Sequence, residues 1–205
     1  MFKSQCSNDL ICFIELCGNF FSFKLHFTKL LCKMALKLDI NKAYNRVEWI
    51  CLDKIMEKLG FNLRWRGLMM QCISSVIYFV HINGKPRGCI SLSRGLHQGD
   101  HFSPYLFLIC VEGLFALIKQ FVHDGSMDGV SICRGGMSIS HFFFFIDDSL
   151  IFCKATLEEC ESLQRVLHVY EEASGQHLNR AKTSLFFKSN TVRQFQEKIK
   201  SRFGA

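Results

Sequence analysis

Two adjacent acids, Asp147 and Asp148, sit between two aromatic and β-branched stretches, residues 138–145 and 149–153. Such stretches favour extended strands that bury at least one face. Unpaired carboxylates are expelled from an apolar interior, so the two runs are expected to form a hairpin with the acids at its turn. A third acid, Asp39, falls near the end of the alternating run 36–40, which reads as a short strand. A sheet holding both features can bring together carboxylates that lie far apart in sequence.

The intervening chain switches between helical and strand-like patterns. Trp49, Leu52, Ile55, Met56 and Leu59 recur at helical spacing, and Gly60 follows as a C-terminal cap. A second helix is predicted over roughly 63–73, and residues 76–82 and 88–92 flank the hairpin-turn pair Asn83-Gly84. The polar loop 94–101 leads to Ser103-Pro104, read as N-cap and first helical residue of a helix running to about residue 122. Thr156 with Glu159 makes a capping box, Cys160, Leu163, Val166, Leu167 and Tyr170 form a buried stripe, and Gly175 ends that helix. Residues 183–187 supply a last strand. This alternation predicts an α+β sheet with helices on one face.

Composition narrows the partners. Lys plus Arg number 25 against 18 Asp plus Glu, a net +7 that suits a polyanion without demanding one. The eleven cysteines include no C-x-x-C pair, so they read as reduced, mostly buried small residues in nucleus or cytoplasm. Glu15, Asn19, Lys24, His26 and Lys29 interrupt the apolar start of the chain, which predicts neither a membrane span nor a signal peptide.

Clustered acids repel unless a cation sits between them. Magnesium is the natural candidate, since it prefers hard oxygen ligands and takes one or two carboxylates plus substrate phosphates. An isolated Asp-Asp pair is more often a solvated turn, and it is the surrounding sequence that argues otherwise.

The segment Met34-Ala-Leu-Lys-Leu-Asp-Ile-Asn-Lys-Ala-Tyr-Asn-Arg-Val-Glu-Trp49 resembles the first catalytic block of reverse transcriptases from plant-type non-LTR (LINE-type) retrotransposons. Arg94-Gly-Leu-His-Gln-Gly-Asp-His-Phe-Ser-Pro-Tyr-Leu-Phe107 is similar to the second, whose usual form is R-G-x-R-Q-G-D-P-L-S-P-x-L-F. Residues 141–150, with Phe145-Ile146-Asp147-Asp148, resemble the third, and Ser174-Gly-Gln-His-Leu-Asn-Arg-Ala-Lys182 resembles the fourth. The blocks stand in the family's order over about three quarters of the chain, residues 34–190.

The resemblance implies a polymerase palm-like antiparallel sheet, with fingers and thumb largely absent. It implies RNA-directed DNA polymerase chemistry: a primer 3′-hydroxyl attacks the α-phosphate of a dNTP on an RNA template. Asp39 and Asp147 would hold two Mg2+ ions, with Asp148 as second acid of the pair and Mn2+ as a substitute. Tyr44 would be the steric gate against a ribose 2′-hydroxyl. Gln98, Gly99 and Asp100 would line the incoming nucleotide and template, and Lys182 would protonate the pyrophosphate. Lys37, Lys42 and Arg46 could grip a duplex backbone. The implied organisation is an unmatched segment 1–33, a palm core 34–190 and a short tail 191–205.

Several positions depart from the family pattern. Asn45 stands where aspartate is usual, His97 replaces an arginine, His101 a proline and Ile146 an alanine. Five residues separate His141 from Asp147 where the family commonly has four, and one extra strand residue reverses facing unless a bulge absorbs it. An inactive retrotransposon remnant, binding at most nucleic acid or magnesium, is therefore the alternative to an enzyme that needs its missing parts.

Overall fold

The computed structural model describes residues 33–97, 99–131, 138–143, 148–188 and 190–204. Asp147 and Gln98 lie outside the described residues, as do residues 1–32 and the Asp147 side of the expected acidic turn. In chain order the elements are β1 (Lys33–Asn41), a 3-10 turn (Tyr44–Arg46), α1 (Trp49–Lys58), α2 (Leu63–Ser74), β2 (Ile77–Ile82), β3 (Lys85–Ser91) and α3 (Ser103–His123). There follow β4 (Val130–Ser131), β5 (Ser138–Ile139), β6 (His141–Phe143), β7 (Asp148–Lys154), α4 (Leu157–Ser174), β8 (His177–Leu178), β9 (Ser184–Phe187) and α5 (Arg193–Phe203). The class is α+β with antiparallel pairing throughout. Two units are distinguished: Met1–Asp39, Ile118–Val166 and Asn179–Ala205 make the first, Ile40–Leu117 and Leu167–Leu178 the second.

The first unit is organised on β1. Its residues pair with β7 on one side, from Lys33↔Lys154 to Asp39↔Asp148, and with β9 on the other, from Met34↔Phe187 to Lys37↔Ser184. A strand flanked on both edges keeps little polar surface. Met34, Ala35, Leu36 and Leu38 are accordingly buried, as are Ile151 and Phe152 on β7, and each large side chain contributes about 1.5–3 kcal/mol by leaving water.

Ser149, opposite Leu38, is an exception: it is buried and its Oγ has no hydrogen-bond partner. An unsatisfied buried hydroxyl costs about 1–3 kcal/mol. Ser149→Ala is expected to raise stability by about 1 kcal/mol, part of the gain being offset by alanine's weaker strand preference, and a thermal melt should shift up by about 2–4 °C.

The capping box at α4 forms with an altered partner. Glu159 N–H donates to Thr156 Oγ1 at 3.3 Å, but Glu159 Oε2 accepts from Lys154 N–H at 2.8 Å, two residues before the threonine. Burial pushes the Glu159 carboxyl up, with the Lys154 amide and ammonium acting against it. The expected stripe of Cys160, Leu163, Val166, Leu167 and Tyr170 is buried. Beyond it, the short tail 191–205 carries a helix not expected from its sequence: α5 buries Ile199 and Phe203 and ends on left-handed Gly204.

In the second unit α1 and α2 are clipped by Arg66, whose guanidinium bonds Asp53 at 2.9 and 2.7 Å and Glu57 at 3.1 Å. That pairing holds the Asp53 carboxyl below its usual range. The β2–β3 turn forms at Asn83 (φ 51°) and Gly84 (φ 76°), the double positive φ of a type I′ hairpin. Helix α3 is long and apolar enough to cross a membrane by length and composition, and its stripe Leu106, Phe107, Cys110, Val111 and Leu114 is buried within the protein.

One local expectation is corrected. Ser103 does not act as the α3 N-cap, because its buried Oγ makes no hydrogen bond; Asp100 Oδ1 accepts from Phe102 N–H at 3.2 Å instead. Among the described free thiols Cys110, Cys153 and Cys160 are buried, Cys51 is half-buried, and Cys72 and Cys89 are exposed. Cys89 belongs to β3, every residue of which is exposed.

Candidate active site

In the first unit β1 sets the position of Asp39. Seven consecutive pairs with β7 run without a register shift and end by opposing Asp39 to Asp148. The main chain of Asp39 is fixed on its other edge, where its carbonyl accepts from Asn179 N–H at 2.8 Å. Asn179 in turn accepts at its carbonyl from Lys182 N–H (3.0 Å), Thr183 N–H (2.9 Å) and Thr183 Oγ1 (3.0 Å). The turn that carries Lys182 is thus tied directly to the backbone of Asp39, and Lys182 Nζ stands 3.9 Å from Asp39 Oδ2.

The Asp39 side chain is 20% exposed and that of Lys182 70%. At that exposure the ion pair is weak, so the carboxylate remains available to another cation. A carboxylate with a cation already facing it, opposite a second aspartate in register, has the donor chemistry of a hard divalent ion site. Among the described residues no group of three His, Cys, Asp or Glu forms a metal cluster, and Asp147 lies outside them.

In the second unit the first block doubles back directly after β1. Lys42 takes φ 51°, rare for a residue with a side chain, and its carbonyl accepts from Asn45 N–H at 3.0 Å to open the 3-10 turn. Two distant segments hold this turn. From the second block, Gly95 N–H donates to Val47 O and Leu96 N–H to Tyr44 O, both at 2.8 Å, while Trp49 Nε1 donates to Gly95 O at 2.7 Å. Arg94 meets Glu48 at 3.3 Å. From the fourth block, Ser174 O accepts from Glu48 N–H at 2.9 Å and Gln176 Nε2 donates to Ala43 O at 3.0 Å.

Gly95 has φ 87°, and a Cβ there would lie 2.6 Å from the Asn45 carbonyl oxygen. Only glycine allows the two backbones to approach this closely. The half-exposed ring of Tyr44 stacks on Phe107 with centroids 4.9 Å apart and planes at 25°. His97, in the place of the family's arginine, stacks on Tyr78 at 5.1 Å. Burial, and secondarily the charge of Asp100, pushes the Tyr78 hydroxyl up. Gly99 is exposed, and Asp100 is half-buried with one carboxylate oxygen engaged at the start of α3.

The structure therefore brings Asp39 together with Lys182 and, through the backbone, with Asp148. It brings Tyr44 against the loop that leads to Gly99 and Asp100. Asn179, Glu48 and Gln176, which carry no signal in the sequence, and Trp49, legible there only as part of a helical stripe, all lie within the first and fourth blocks. Their contacts cross long sequence separations, 133 residues for Gln176 to Ala43 and more for Asn179 to Asp39, and no local spacing encodes them.

Residues 6–196 match the family described as reverse transcriptase (RNA-dependent DNA polymerase). The match begins inside the segment left unassigned above. An uncharacterized mitochondrial protein of Arabidopsis thaliana is 41% identical over 33% of this chain and 56% of its own length. An uncharacterized 149 kDa protein of transposon TX1 from Xenopus laevis is 25% identical over 73% of this chain. A retrovirus-related Pol polyprotein from the type-1 retrotransposable element R2 of Popillia japonica is 27% identical over 44%. The chain spans only 11% and 15% of those last two relatives. Among solved structures, apo telomerase from Candida tropicalis superposes with a TM-score of 0.60 at 14% identity, covering 91% of this chain and 34% of that one. Telomerase from Candida albicans in complex with a fragment of telomeric RNA gives 0.57 at 15%, covering 93% and 31%. At such identities the likeness is one of fold.

Proposed function

The chain belongs to the reverse transcriptase (RNA-dependent DNA polymerase) family, and from that premise we propose that it carries the palm chemistry of a non-LTR retrotransposon enzyme. The reaction is transfer of a deoxynucleotide to a primer 3′-hydroxyl on an RNA template. The register that opposes Asp39 to Asp148, with Lys182 Nζ 3.9 Å from Asp39, carries this reading.

Asp39, Asp147 and Asp148 are the residues that would hold two divalent ions, Mg2+ or in its place Mn2+. When bound, such ions supply positive charge to both the attacking and the leaving oxygen of an in-line phosphoryl displacement. The rest of the work falls to the chain's own groups. Lys182, on a turn bonded to the backbone of Asp39, gives a proton to the departing pyrophosphate. Tyr44 crowds a ribose 2′-hydroxyl and so favours deoxynucleotides. Gln98, Gly99 and Asp100 position the nucleotide and template, and Lys37, Lys42 and Arg46 contact the backbone of the RNA-containing duplex. Positioning and charge neutralisation supply most of the acceleration in such transfers.

The test is primer extension on an RNA template with magnesium, using the chain and its Asp147→Ala variant. Extension that the substitution abolishes supports an active polymerase. A folded, soluble protein that extends nothing leaves the alternative, a retrotransposon remnant that at most binds nucleic acid or magnesium.

A further inference from the structure

We propose that Gln176 is a positioning residue that sets the height of the Tyr44 ring, and through it the discrimination between deoxyribose and ribose. The inference rests on the reading of Tyr44 as the sugar gate. Gln176 is 1% exposed, and a buried primary amide must find partners at both ends. Its Nε2 donates to the carbonyl of Ala43 at 3.0 Å, one residue before Tyr44. Its Oε1 accepts from the Tyr170 hydroxyl, which also lies 3.4 Å from Cys110 O. The Gln176 N–H is bound by Ser174 Oγ at 3.2 Å, and Ser174 Oγ donates to Tyr170 O at 2.6 Å.

The amide is thus clamped to the end of α4 at one side and to the gate's own backbone at the other. On the far side of the turn, Leu96 N–H holds Tyr44 O, and Phe107 stacks against the ring. The ring is positioned by its face and by its main chain, and Gln176 is the side chain that grips the main chain immediately upstream. Displacements of about 1 Å at a reacting group change rates by up to about 100-fold, so losing this grip should be visible in sugar selection before it is visible in folding.

The experiment is equilibrium binding of dUTP and of UTP, which differ only at the 2′ position, with Mg2+ present, to the wild-type chain and to Gln176→Met, Tyr170→Phe and Tyr44→Ala. Gln176→Met keeps the side chain's length and removes both hydrogen bonds, while Tyr170→Phe keeps the ring in the core and frees only the Oε1 end. The expected result is a dUTP preference that falls about tenfold or more in Gln176→Met, by a smaller factor in Tyr170→Phe, and that is lost in Tyr44→Ala. Should Gln176→Met fail to fold, the Tyr170→Phe ratio decides. If Tyr44→Ala relaxes the preference while Gln176→Met, or Tyr170→Phe in its stead, keeps the wild-type ratio, the gate stands and this inference falls. A wild-type preference that Tyr44→Ala leaves unchanged, or no preference in the wild type, removes the gate reading and the inference together.

Discussion

Gly95→Ala is expected to destabilise the protein by about 3 kcal/mol, through backbone strain and overpacking that each cost about 1–3 kcal/mol. The strain arises because Gly95 has φ 87°, and the overpacking because the new methyl would lie 2.6 Å from the Asn45 carbonyl oxygen and 2.9 Å from its carbon. Neither atom can swing aside as a side chain could, since Asn45 is held within the 3-10 turn by its own N–H to Lys42 O. To relieve the contact the loop must lift, which breaks the 2.8 Å bond from Gly95 to Val47 and the 2.7 Å bond from Trp49. Gly125→Ala separates the two terms: its φ is 73° but nothing lies within 4 Å of the added Cβ, so only strain of about 1 kcal/mol remains. Thermal denaturation should show a fall of about 10 °C for Gly95→Ala and about a third of that for Gly125→Ala. Equal shifts would mean that the close approach of the two blocks is not what holds this turn.

Asp39→Asn should give the opposite profile, a large loss of function with almost no loss of fold. Asparagine keeps the shape, the strand pairing with Asp148 and the carbonyl that Asn179 donates to. What goes is one negative charge, and with it the partner of Lys182 Nζ at 3.9 Å, an exposed pair whose own contribution is below about 1 kcal/mol. RNA-templated extension is expected to fall by about 1,000-fold, the scale of removing one electrostatic group from a phosphoryl-transfer or acyl-transfer site. Lys182→Ala should separate two effects that Asp39→Asn combines. It removes a competing cation from the Asp39 carboxylate, raising divalent-ion affinity slightly, and it slows extension by removing a proton donor. A Lys182→Ala chain that loses divalent-ion affinity would contradict the assignment of that lysine.

Local patterns were good guides where local physics decides. The period of Trp49 to Leu59 gave α1, Asn83-Gly84 gave the hairpin with both φ angles positive, and the stripe from Cys160 to Tyr170 gave α4. The position of Asp39 near the end of a strand was legible because its run alternates; that the strand is central was not, since pairing on both edges is a long-range property. Capping was less so: Asp100 and Ser103 are both good acceptors three residues apart, and spacing alone does not say which one reaches the free amides. Helix α5 is not legible because its only buried apolar anchors, Ile199 and Phe203, fall in an otherwise polar stretch. The fourth block was read from sequence for its lysine, whereas Ser174, Gln176 and Asn179 bind backbone of the first block. A buried glutamine looks like any surface glutamine until its partner, 133 residues away, is known.

The sharing of divalent ions by Asp39 and the Asp147-Asp148 pair is best tested by Mn2+ titration followed by electron paramagnetic resonance, which counts bound ions without requiring turnover. The wild-type chain should take up two ions as a two-ion site requires, and Asp39→Asn should bind fewer, with affinity reduced at least about tenfold. Identical uptake by the two proteins, or no uptake by either, would contradict the account.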